Sequence, residues 1–133
     1  MTEPDDTKTG HCACGAVSFT ARGPFRAVHF CHCESCRRQT SHFVAATNVR
    51  AENLSIAGAE KLSEWQATPE AARRFCSICG SLLFWQGVGN DTVSIMAGSF
   101  DLPTGLSADR HIFVSEKGDY FDIADGLPQF PTR

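Results

Sequence analysis

Seven cysteines stand in three tight groups, and no other feature of the chain restricts its fold so strongly. Cys12-Ala13-Cys14-Gly15 comes first, Cys31-His32-Cys33-Glu34-Ser35-Cys36 second, and Cys76-Ser77-Ile78-Cys79-Gly80 third. Two thiolates on one tight turn can occupy two vertices of a single zinc tetrahedron. A glycine after the last cysteine lets the chain curl until backbone N–H groups face the sulfurs. The first and third groups both end in Cys-Gly. Other uses of cysteine fit less well. A lone CxxC serves as a redox pair where it opens a helix after a strand, and no βαβ pattern surrounds it in this chain. Buried cysteines acting as small hydrophobes would be scattered rather than gathered. Iron–sulfur ligation uses the same donor, but the Cys-Gly turns and β-rich surroundings favour zinc. Disulfides need an oxidising compartment, whereas residues 1–9 are polar and acidic, with no hydrophobic stretch of a secretory signal. The expected address is cytoplasmic. Residues 1–9 read as a flexible tail ahead of a single zinc-binding domain over residues 10–131.

A length of 133 residues suits one core. The net charge of −3 gives no support for a nucleic-acid partner, and no apolar run reaches bilayer length, so no membrane partner is expected. Within residues 15–22, Val17 and Phe19 alternate with small and polar neighbours, the period of a half-buried strand. Gly23-Pro24 marks a turn, and residues 25–30 read as the returning strand. Residues 34–40 suit a short helical turn and 43–49 another strand, and Leu54 and Ile56 lead to a turn at Gly58. Residues 64–74, polar and containing Pro69, read as a loop with ragged strand edges. The runs 81–85, 92–97 and 111–114 are short and β-prone. These readings give a mainly β domain with little helix, the kind of small β-domain that gains from a metal staple.

Seven ligands divide into four plus three. A closed four-cysteine site is structural, while three protein ligands leave one vertex for water or substrate. Spacing leaves two partitions open. Cys12, Cys14, Cys76 and Cys79 can pair the two glycine-terminated turns. Alternatively, Cys33, Cys36, Cys76 and Cys79 form a ribbon and strand Cys12, Cys14 and Cys31. The first is preferred, because the segment 31–36 can wrap three vertices by itself. Three thiolates around Zn²⁺ carry a formal charge of about −1, which makes a poor Lewis acid and suits a soft thiol as fourth ligand. A thiolate is also the species that attacks a small carbonyl such as formaldehyde. Arg37 and Arg38 follow Cys36 and can pair with a substrate carboxylate, although a solvated basic turn is the plainer reading. His32, Glu34 and His42 stand close enough in sequence to supply a proton, with His32 able simply to point outward. His11, His29 and His111 read as surface or strand residues. Phe30, Phe43, Phe75, Phe84 and Trp85 flank the cysteine groups, where core packing is the stronger expectation than a pocket wall.

Three motifs in order resemble the glutathione-dependent formaldehyde-activating enzyme family, which includes the centromere protein V type. They are Gly10-His-Cys-Ala-Cys-Gly-Ala-Val, Cys31-His-Cys-Glu-Ser-Cys-Arg-Arg-Gln-Thr and Arg74-Phe-Cys-Ser-Ile-Cys-Gly-Ser. The stretches beginning at Arg110 and Asp125 fit the family's C-terminal half. The resemblance implies a β-tent, small antiparallel sheets around a structural zinc held by Cys12, Cys14, Cys76 and Cys79. It implies a second, catalytic zinc on Cys31, Cys33 and Cys36, hence two zinc ions per chain. The activity it implies is that of a carbon–sulfur lyase joining formaldehyde to glutathione as S-hydroxymethylglutathione. A non-catalytic zinc module that binds a thiol or a protein partner is the alternative reading. One departure is Ser41, which stands where the family commonly has glycine.

Overall fold

Short runs of alternating burial, broken by glycine and proline turns, make strands rather than helices of most of this chain. The structure is a computed structural model that describes residues 6–133. Ten strands and one α-helix follow in order: β1 (Thr7–His11), β2 (Ser18–Arg22), β3 (Val28–Cys31), α1 (Glu34–Thr40), β4 (Val44–Arg50), β5 (Leu54–Ala57), β6 (Leu62–Thr68), β7 (Ala71–Cys76), β8 (Leu82–Gly87), β9 (Thr92–Met96) and β10 (Ala108–Ile112). Four short 3-10 turns complete the list. The fold is mainly β, with one helix of seven residues.

The strands form two sheets. A three-stranded antiparallel sheet has the order β1-β2-β5, and a seven-stranded sheet has the order β10-β3-β4-β9-β8-β7-β6. Small antiparallel sheets were the expectation, but the larger sheet carries a parallel pair, β3 with β10, at one edge. Three further readings are corrected. Residues 7–9 do not belong to a tail: they open β1 and pair with residues 20–22 of β2, since Gly10 and Thr9 continue the ladder begun at Thr7. The rest of the proposed tail, residues 1–5, lies outside the described residues. The strand after Gly23-Pro24 does not return along β2, because β1 and β5 already occupy both edges of β2. The chain crosses instead to the large sheet, where β3 pairs with β4. Residues 64–74 are not a loop. They lie in the β6–β7 hairpin, registered from Leu62↔Cys76 to Thr68↔Ala71 around a turn at residues 69–70. The strand β6 is an outer edge in which the consecutive residues 64–66 are all exposed, so both faces meet solvent there and no hydrophobic alternation is left to read.

Two apolar clusters lie against opposite faces of the large sheet. Val49 of β4 joins a cluster with Phe19 and Ala21 of β2, Phe25, Phe84, Ile95 and Phe100. Val44 and Ala46 of β4, of the other parity, join Met96, Leu82 and Trp85. Within the first cluster, edge-on ring pairs at 5.2–6.0 Å link Phe84, Phe19, Phe100 and Phe25. Cys12 and Cys76 are buried in this cluster, whereas Cys36, with Cys31 and Cys33 beside it, belongs to the second. β7 serves both faces: Arg73 reaches Cys36, and Cys76, three residues on, turns to the opposite side.

Candidate metal centres

The Cys12–Cys14 and Cys76–Cys79 turns are built alike. Cys12 N–H donates to Val17 O (2.9 Å) and Cys76 N–H to Ser81 O (3.0 Å), and the Gly15 and Gly80 N–H groups donate back to the carbonyls of Cys12 and Cys76. Both glycines sit at φ of 80°, a left-handed conformation that a side chain disfavours, although a Cβ there would meet nothing within 4 Å. The glycine requirement is therefore conformational. Each turn also aims a backbone N–H at sulfur: Val17 N–H at Cys12 Sγ (3.3 Å) and Ile78 N–H at Cys76 Sγ (3.4 Å). The Ser81 hydroxyl ties the two turns together, accepting from Ala13 N–H at 2.9 Å while sharing a hydrogen bond with Cys79 Sγ at 3.2 Å. That bond, with Ser81 and Cys14 N–H groups nearby, holds the Cys79 thiol down at about 5.

All four sulfurs lie within 4.8 Å of one another. Cys12 Sγ to Cys14 Sγ is 3.6 Å and Cys14 Sγ to Cys76 Sγ is 3.8 Å. A zinc–sulfur bond of about 2.3 Å gives a tetrahedron with edges of about 3.8 Å, so the group fits one zinc ion.

The second group comes from the end of β3 and the start of α1. Cys31 closes the strand, Cys33 caps the helix with its sulfur accepting from Cys36 N–H at 3.4 Å, and Cys36 lies in the first turn. Their three sulfurs also lie within 4.8 Å of one another and could hold a metal ion. Hydrogen bonds from the Cys31 and Cys36 thiols, the Cys36 N–H and the charge of Arg73 push the Cys33 thiol well below its ordinary value. The structure thus gathers the cysteines as the preferred partition has them, four and three, and not as the ribbon.

The other sequence candidates are placed less simply. Glu34 and Arg38 form an exposed i,i+4 ion pair at 2.9 Å, and Arg37 Nε donates to Glu116 O at 3.1 Å. Glu116 in turn accepts from the Glu34 N–H at 2.9 Å, which fastens the start of α1 to the turn after β10. His42 is exposed and its Nδ1 shares a hydrogen bond with Tyr120 Oη at 2.7 Å. His32 does not point outward. Its ring is fully buried, packed beside Phe43 and Phe121, and its Nε2 meets His111 Nδ1 at 2.8 Å. His111 Nε2 donates to Asp125 at 2.7 Å, which leaves its Nδ1 to accept from His32. Burial, with the charges of His111, His42 and Lys117, pushes His32 down to about 4, so it is neutral at pH 7. His11 and His29 are strand residues, as expected. His111 is a strand residue too, but a buried one. Of the flanking aromatics, Phe84 is core, and Trp85 packs against the apolar cluster that contains Cys36, Val44, Ala46 and Met96.

Two contributions escape a reading of the sequence. Arg73, on β7, donates through Nη2 to Cys36 Sγ at 3.3 Å and through Nη1 to Gln39 Oε1 at 3.0 Å. Asp125 and His111 reach the loop of the second group through His32. Each lies 14 or more positions from its partner, and no local pattern around Arg73 or Asp125 marks that partner.

The family model described as glutathione-dependent formaldehyde-activating enzyme matches residues 7–116. An uncharacterized lyase of Schizosaccharomyces pombe is 26% identical over 122 residues, spanning 91% of this chain and 88% of that protein. The crystal structure of a Rhodobacter sphaeroides protein superposes with a TM-score of 0.60 at 23% identity, over 91% of this chain and 98% of the other, a likeness of fold. With a match that takes in all seven cysteines, the chain belongs to the glutathione-dependent formaldehyde-activating enzyme family.

Proposed function

We propose that this protein is a two-zinc carbon–sulfur lyase that joins and separates a small aldehyde, such as formaldehyde, and a glutathione-type thiol. The division of seven cysteines into a four-sulfur and a three-sulfur group carries the reading. Cys12, Cys14, Cys76 and Cys79 would hold a structural zinc, while Cys31, Cys33 and Cys36 would hold a second and leave one vertex open. Zinc bound there supplies a soft position at which a thiol is held as thiolate, the form that adds to a carbonyl carbon. In that addition the carbon–sulfur bond forms, the carbonyl π pair moves to oxygen, and the thiol proton ends on the new hydroxyl; the lyase direction reverses each change. The family match and the fission-yeast protein called a lyase support this chemistry.

The chain's own groups take roles that follow from their surroundings. Among the described residues Arg38 is held by the exposed pair with Glu34, an interaction of about 0–1 kcal/mol that a substrate carboxylate can displace at little cost. Arg37 and Arg38 are therefore assigned to substrate carboxylates, with Glu34 as the internal competitor. His32 serves as a positioning residue, fixing the backbone between Cys31 and Cys33 through His111 and Asp125. Cysteines used as metal ligands rather than in disulfides suit a reducing compartment, which supports a cytoplasmic setting.

The test is exchange between glutathione, formaldehyde and their adduct, followed by exchange NMR against a protein-free control, because the reaction also runs spontaneously. Acceleration that vanishes in Cys36→Ser is the expected result. An exchange rate equal to the control would leave the non-catalytic zinc module as the better reading.

A further inference from the structure

Arg73 is 3% exposed, yet its hydrogen-bond partners are a neutral amide, Gln39, and a cysteine sulfur, Cys36. Among the described residues no carboxylate pairs with it, and its Nε is buried without a partner. A buried guanidinium without counter-charge is costly, so a negative charge has to come from the sulfurs it faces. Buried polar atoms without partners point to the same place. Among the described residues they are Arg73 Nε, His32 Nδ1 and Ser35 Oγ, and each belongs to a residue within the segment 31–36 or bonded to it. Backbone N–H groups reach sulfurs of both cysteine groups, and the Ser81 hydroxyl reaches Cys79, but it is Cys36 Sγ of the three-cysteine group that receives a guanidinium.

We propose that Arg73 is the charge partner of the three-cysteine site, a positioning residue whose buried guanidinium offsets three thiolates and favours an anionic sulfur over a neutral ligand at the fourth vertex. This rests on the reading that the site holds zinc and admits a thiol. Three thiolates and one divalent ion carry a formal charge of about −1. Arg73 brings the set to zero, so an entering thiolate leaves −1 rather than −2. A neutral ligand such as imidazole gains nothing comparable from the guanidinium. The length and planarity of arginine also matter, since one nitrogen meets Cys36 Sγ while another is held by Gln39 on the same helix, α1.

The experiment compares wild type, Arg73→Gln and Arg73→Lys loaded with cobalt. Second-site metal retention is read by competition with a chelator. Entry of 2-mercaptoethanol, which has no carboxylate, and of imidazole is read from the metal spectrum. Arg73→Gln is expected to loosen the second metal at least tenfold and leave the first in place. It should weaken 2-mercaptoethanol at least tenfold more than imidazole, and Arg73→Lys should restore most of both losses. Wild-type retention in Arg73→Gln, or equal losses for the two ligands, overturns the proposal. Should wild type itself take up no thiol while Arg73→Gln still loses the second metal, the thiol reading falls and the charge partnership toward the metal stands. Should Arg73→Gln not fold, the arginine side-chain N–H signals of the wild-type protein decide. A shift of the Arg73 signals when the second site fills supports the proposal, and unchanged signals overturn it.

Discussion

Ser41 ends α1 in the left-handed region, with φ 69° and ψ 9°. A side chain costs about 1–2 kcal/mol in that conformation, while glycine adopts it freely at an entropic cost of roughly 0.4–1 kcal/mol in the unfolded chain. A glycine at this position would suit that geometry. Ser41→Gly should therefore stabilise the protein by about 0.5–1 kcal/mol, seen as a melting temperature raised by a few degrees; an unchanged or lower value would contradict the strain. Ser41 O, which accepts from Tyr120 Oη, is backbone and survives the change. His32 gives a second residue-scale expectation. Its folded-state value of about 4 lies below the free imidazole value of 6.5, so on acidification the unfolded chain takes up the proton first. The stability contributed by neutral His32 is whole above the unfolded value and is lost as pH falls through the folded one. NMR of the ring should place the midpoint of its protonation near pH 4, with the neutral form predominant above about pH 5. A ring titrating near 6.5 would mean that the buried chain to His111 and Asp125 does not form.

Among the elements, the β6–β7 hairpin best shows what the sequence discloses and what it hides. The cysteine turns were legible because ligand spacing and Cys-Gly are local chemistry, and Phe19 was legible because β2 buries alternate residues. β6 was not legible, since residues 64–66 are exposed and its pairing is backbone bonding to β7 rather than side-chain burial. Arg73 and Asp125 were hidden for a related reason: a polar residue's partners are chosen by tertiary structure, and nothing local to either marks a cysteine or a histidine as its neighbour. The hairpin's place at the sheet edge gives a prediction. Hydrogen exchange should be fastest at its turn end, around Thr68 and Ala71, and slowest at Cys76, where the four-sulfur group fastens the strand. β4, flanked on both sides by β3 and β9, should exchange more slowly than β6. Uniform exchange along the hairpin would show that the metal group does not anchor it.

At the scale of the molecule the two cysteine groups differ in what they join. Cys14 and Cys76 are 62 positions apart in sequence and 3.8 Å apart at sulfur, whereas the other group spans six residues. A structural zinc contributes on the order of 10 kcal/mol to folding, against a domain stability of about 5–15 kcal/mol. Cys76→Ser should therefore yield protein that is insoluble or melts at much lower temperature. Cys36→Ser should stay folded and bind one metal fewer; melting curves and metal content decide, and the reverse pattern would exchange the roles of the groups. Freshly purified protein should contain two zinc ions per chain, the one with fewer protein ligands leaving first under mild chelation. Iron, or one metal with three reactive thiols, would defeat that. β7 carries Arg73 and Cys76 toward opposite faces, and the interval between them therefore behaves as a parity lock. Adding or deleting one residue at Arg74 or Phe75 would let the strand satisfy one face only; adding two would restore parity but carry one group about 7 Å along the strand. Substitutions within this interval are open to evolution in a way that length changes are not. Insertions can accumulate instead at the turn of residues 69–70, which lies outside the interval between Arg73 and Cys76 and leaves its parity unchanged.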